Sequence, residues 1–152
     1  MNIWKHSLLS AKKFGGEASV YLPIHKFLDS SKLFYYHAKH RMLLHHTFGI
    51  EVCIQVFGDY ILSQNGQTVL VRDIAAEHIK EDLNNKIPTI QEWWEKNQDL
   101  ECFVEVLPKV EDQRIEEFIL QPLLRSNIKA SLIITASDFG VFLINEIICQ
   151  NF

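Results

Sequence analysis

The chain has 152 residues, 47% of them apolar and 22% charged, with a net charge of -4. That balance fits one folded domain, or one with an appendage, and excludes a disordered, fibrous or collagen-like chain. Cys53, Cys102 and Cys149 are widely spaced and form no CxxC pair, so neither a disulfide framework nor a cysteine-based zinc site is expected.

The pattern predicts a first helix over residues 2–14, ended by Gly15-Gly16 and carrying His6 on its second turn. Pro23 suits the first turn of a short helix over 23–29, in which His25 and Asp29 are four apart and share a face. Ser30 and Ser31 are candidate N-caps for the next segment, 32–47, which runs without Gly or Pro as far as Gly49. Its apolar residues surround the helix, as in a central buried one. His37, His40 and Arg41 then fall in one sector, His45 lies at its edge, and His46 points away, toward solvent or the helix end.

A further helix is expected over 51–57, up to Gly58, followed by strands 60–63 and 68–71 around Asn65-Gly66, a strong hairpin signal. Residues 72–83 read as a helix with Ile74, Ala75, His78 and Ile79 inward; His78 and Asp82 form a second His-to-carboxylate pair, read here as solvated. Pro88-Thr89 opens a last short helix, 90–96, where Trp93 and Trp94 seal a core edge. Beyond it, a strand over 100–107, a helix over 111–125 interrupted at Pro122, and apolar stretches 130–135 and 141–144 suggest a strand-helix-strand appendage. The expected fold class is α+β, mainly α: a His-rich helical unit with a small β-hairpin over 1–97, and an appendage over 98–152 in the same globule.

All seven histidines lie within the first 78 residues. The first 50 residues are also basic, with seven Lys or Arg against Glu17 and Asp29, so the rest of the chain carries the acidic excess. Neutral imidazoles and carboxylates at helical spacing suit a borderline divalent metal such as Zn, Mn, Fe or Ni. The candidate ligands are His6, His25, Asp29, His37, His40 and His45, with Lys32 and Arg41 placed to bind an anionic ligand. A metal-bound water ionises near neutral pH, which makes phosphoester or amide hydrolysis the natural reaction class. Two readings stay open beside this one: a metal-free polar cluster, and histidines that only hydrogen-bond across helices.

No HExxH, no adjacent His-Asp dyad and no phosphate-binding glycine loop appears, so no catalytic residue is assigned. The alternative function is a protein-protein interaction factor of a defence-related or immunity type, using the acidic C-terminal third. A homo-oligomeric scaffold would need an exposed apolar strand within 130–144. The acidic balance argues against nucleic acid as a partner. The N-terminal apolar patch is too broken for a signal peptide and later apolar runs are too short for a membrane span, so a cytoplasmic location is expected.

Taken together, His6-Ser7, Phe14-Gly15-Gly16, Tyr21 to His25, Asp29 with Ser31-Lys32, His40-Arg41, His45-His46, Gly49-Ile50, Val71 to Ala75, His78-Ile79, Glu81-Asp82 and Ile87-Pro88-Thr89 form a recognisable pattern. It resembles an uncharacterised family of small bacterial and phage proteins, a domain of unknown function, over residues 1–97. In that family an acidic residue tends to stand at the position of His37. The resemblance implies a shared architecture and transfers no catalytic residue.

Overall fold

A computed structural model of the chain describes residues 2–33 and 38–96. One compact unit spans Met1–Thr89 and a second begins at Ile90. The described part is mainly helical, with a two-stranded antiparallel hairpin. The expected strand-helix-strand segment and the apolar stretch within 130–144 lie outside the described residues.

The first helix, α1 (Ile3–Phe14), starts where the Asn2 side chain accepts the Trp4 N–H at 2.8 Å, and it ends at Gly15, whose φ of 83° suits a residue without Cβ. Lys12 and Lys13 in its last turn complement the helix dipole. Its buried face is polar, made of His6, Ser7 and Ser10, whereas Trp4 and Leu8 are exposed. A helix that turns its polar side inward needs polar partners there, and these come from the second and fourth helices.

The second helix, α2 (Ala18–Leu28), begins five residues earlier than the expected start, so that Pro23 sits inside it. Pro23 and Ser19 are both exposed, so the Ser19 carbonyl that proline leaves without an amide partner faces water. Tyr21, Ile24, His25 and Leu28 fill the inner face of α2. This central helix packs against α1, α3 (Thr47–Phe57) and α4 (Val71–Asp82).

The expected continuous helix over 32–47 is absent. Ser30–Leu33 and Ala38–Leu43 form two 3-10 segments, and α3 begins at Thr47 instead of at 51. Two local features enforce the break. The His46 imidazole caps α3 by accepting the Gly49 N–H at 3.1 Å, so the chain must be extended at residue 46. Gly49 sits in the first turn of α3 so close to the Leu44 carbonyl that any Cβ there would overlap it. This glycine permits a close approach and does not stop a helix.

Strands β1 (Tyr60–Leu62) and β2 (Thr68–Leu70) pair with Ile61 opposite Val69, as the Asn65-Gly66 turn implies. Helix α4 follows β2 directly and buries Val71, Ile74, Ala75, His78 and Ile79. Helix α5 (Ile90–Lys96) opens the second unit. Among the described residues no helix is long and apolar enough to cross a membrane.

Candidate metal centre

The polar groups that α1, α2 and α4 turn inward meet one another. His25 and Asp29 lie one turn apart on α2, and His78 and Asp82 lie one turn apart on α4; both pairs point into the same buried space. His6 enters from α1, and His45 from the link between the second 3-10 segment and α3. Two sets of donors come close enough to hold a cation, His6 with His25 and His78, and Asp29 with His45, His78 and Asp82, the donor atoms of each set lying within 4.8 Å of one another.

In the second set, His78 Nε2 is 3.2 Å from His45 Nε2, and each of these nitrogens is 3.8 Å from Asp29 Oδ1. His45 Nε2 is 3.4 Å from Asp82 Oδ2. Zinc ligands at 2.0–2.1 Å stand about 3.3–3.4 Å apart around a tetrahedron. The observed separations bracket that value.

Partners outside the centre hold these groups in place. Lys32 Nζ, 2.6 Å from Asp29 Oδ2, leaves Oδ1 turned to the histidines. Arg41 Nη2 is 3.3 Å from Asp82 Oδ2. His25 contacts Ser10 Oγ through Nε2 and His78 Nδ1 through Nδ1, both at 2.9 Å. His6 Nδ1 meets the Glu81 carboxylate, and its Nε2 is 3.3 Å from Asp82 Oδ1.

The protonation states follow from burial and neighbours. Burial lowers the pKa of His25 to about 3 and of His78 to about 4, so both rings are neutral at pH 7. Desolvation alone would raise Asp29 and Asp82. It is outweighed by the approach of His78 and Lys32 to Asp29 and of His45, His6 and Arg41 to Asp82, which holds both carboxyls well below the usual carboxylate range. The centre therefore presents ionised carboxylates beside neutral imidazoles. Asp29 Oδ1 and His6 Nε2 are buried with no hydrogen-bond partner among the described residues.

Of the candidates read from sequence, the structure brings together His6, His25, Asp29 and His45, with Lys32 and Arg41 at the rim, half-exposed and bound to the two carboxylates. His40 stands beside the centre. Its Nδ1 pairs with Ser31 Oγ at 3.0 Å, and its ring is edge-on to His45 with centroids 5.8 Å apart. His37 lies outside the described residues.

One expectation is corrected and another is narrowed. The His78-Asp82 pair is not solvated: it forms the inner face of α4, with both side chains inaccessible to water. The signal was in the sequence, since Asp82 is one turn beyond His78 on the face already read as inward. Of the two places expected for His46, solvent or a helix end, the structure gives the helix end: the residue is buried, its Nε2–H donates to the Leu43 carbonyl at 3.2 Å and its Nδ1 caps α3.

The fold and centre together define a class, a small helical domain closed around histidines and carboxylates from three of its helices and one link. The chain belongs to the family described as Domain of unknown function (DUF6915), whose model matches residues 1–102. No curated protein and no solved structure matches it.

Proposed function

We propose that Asp29, His45, His78 and Asp82 hold a divalent cation of the Zn, Mn, Fe or Ni class, and that the centre hydrolyses an anionic, phosphoester-type substrate. The observation that carries this reading is the Asp29 Oδ1 atom, buried with no hydrogen-bond donor among the described residues and equidistant at 3.8 Å from two imidazole nitrogens. Burying an ionised oxygen against neutral rings is costly unless a cation satisfies it. A cation at the centre of the four donors would do so, and His25 would orient His78 from behind, as second partners of metal-bound histidines do.

The bound cation would supply a water acidic enough to ionise near neutral pH. Lys32 and Arg41 each contact a carboxylate of the centre and also reach solvent, so they could receive the oxygens of an anionic substrate. Cys53 is a free, buried thiol, in keeping with a reducing cytoplasmic setting.

Elemental analysis of protein purified without a histidine tag tests the reading. The expected result is stoichiometric metal, a rise in Tm on adding Zn, Mn, Fe or Ni to the stripped protein, and metal-dependent turnover of phosphomonoester or phosphodiester substrates. Absence of both the metal and the Tm response overturns it.

A further inference from the structure

We infer that the centre is built for two cations, bridged by the Asp82 carboxylate. This rests on the single-cation reading above and extends it to the His6, His25 and His78 set.

Asp82 presents its two oxygens to different groups. Oδ2 is 3.4 Å from His45 Nε2, in the first set, and Oδ1 is 3.3 Å from His6 Nε2, in the second. A carboxylate so placed spans two neighbouring positions, which is the role of the bridging ligand in two-metal sites with ions about 3.5–4 Å apart.

The second position is otherwise poorly served by hydrogen bonds. His6 directs Nδ1 to Glu81 and leaves Nε2 buried, with no hydrogen-bond partner among the described residues, facing an Asp82 carboxylate oxygen. A cation between His6 Nε2 and Asp82 Oδ1 would be held by both atoms. The Glu81-to-His6 contact is also the carboxylate-to-imidazole arrangement that orients metal ligands.

The remaining donors are at hand. With its Nε2–H given to Ser10, His25 would keep an Nδ1 lone pair for the second ion, 2.9 Å from His78 Nδ1. Adjacent ligands at 2.0–2.1 Å from an octahedral ion stand about 2.9 Å apart. The His6 ring stacks on His78 with centroids 4.0 Å apart and on His25 at 5.5 Å, so the three imidazoles already share one small volume. Neutral His78 has one lone pair and serves one ion. With two bound, it goes to the second through Nδ1 in place of its contact with His25. The first ion keeps Asp29, His45 and Asp82, and solvent or substrate completes it.

Manganese titration of the metal-stripped full chain, read by bound metal per chain and by electron paramagnetic resonance, tests this. Two ions per chain with a spin-coupled signal are expected. His6→Gln should bind one ion, lose the coupled signal and keep its helical circular dichroism. Saturation at one uncoupled ion in the wild-type chain overturns the second site and leaves the first. No bound ion overturns both. The wild-type coupling decides the matter even if His6→Gln does not fold.

Discussion

Asp29 Oδ1 stands 3.8 Å from the Nε2 atoms of both His45 and His78, on a helix whose other buried residues are mostly apolar. Such an oxygen is held by the fold against its own solvation, as side chains kept for binding are. Asp29→Asn replaces a charge with an amide able to donate to either imidazole. The metal-free variant should be at least as stable as the wild type, and it should lose the metal-dependent gain. That gain in the wild type is about 2.7 kcal/mol at a hundredfold excess over Kd, several degrees in Tm. Paired thermal melts in chelator and in metal check both halves.

Ser10 is the outermost member of the chain that runs through His25 to His78. Ser10→Ala leaves His25 Nε2 buried without its partner, at a cost of about 1–3 kcal/mol. Because His25 fixes the orientation of His78, metal affinity should fall about 10–100-fold as well. A chelator-competition titration and a denaturant melt separate the two effects. Ser10→Thr, which keeps the hydroxyl, should restore affinity.

Much of this arrangement was legible in the sequence, and the failures share a cause. Helix α1 and the hairpin carry local signals, paired glycines and an Asn-Gly turn. His25 with Asp29 and His78 with Asp82 declare themselves by spacing alone. Spacing does not say which face of one helix meets another, so an outward reading of the His78-Asp82 pair can stand beside an inward reading of His78 itself, and packing decides between them. The expected 32–47 helix does not form as one element because what breaks it is tertiary. His46 is an unusual cap residue, and Gly49 is required by the proximity of Leu44, a contact that local propensity does not encode.

Gly49→Ala tests that last contact. The added methyl meets the Leu44 backbone, which cannot yield as a flexible side chain would. The expected loss is about 3 kcal/mol or more, at the upper end of single-residue effects. Because Leu44 precedes His45, the variant should also lose metal-induced stabilisation, whereas Gly66→Ala, at a turn glycine with open space around it, should retain it. Melts of the two variants with and without metal make the comparison.

The metal-free protein should be acid-sensitive. Burial lowers the pKa of His46 to about 3 and of His40 to about 4, from an ordinary value near 6.5. Between those values and 6.5 the unfolded chain binds protons that the folded chain does not. Stability is therefore complete above pH 6.5 and declines as pH falls toward 4, by up to about 1.4 kcal/mol per pH unit for each such histidine. His46→Asn, which preserves a cap acceptor without a titrating ring, should flatten the decline. Urea melts from pH 7.5 to 4.5 give the slope.

Arg41 and Lys32 differ in what they release when removed. Lys32 Nζ holds Asp29 Oδ2 at 2.6 Å, so Lys32→Met frees a carboxylate oxygen of the centre and should alter metal affinity along with anion binding. Arg41 Nη2 approaches Asp82 Oδ2 at 3.3 Å, a longer contact made by a group that can turn to a second anion. Arg41→Met should leave metal content unchanged and weaken binding of inorganic phosphate to the metal-loaded protein by about tenfold, the loss of one charge-assisted hydrogen bond. Arg41→Lys should recover only part of that, because an ammonium lacks the planar fork that engages two oxygens of one phosphate. Calorimetric titration of phosphate into the loaded variants, at low and at high salt, gives the result. An unchanged phosphate Kd in Arg41→Met would remove Arg41 from the anion site.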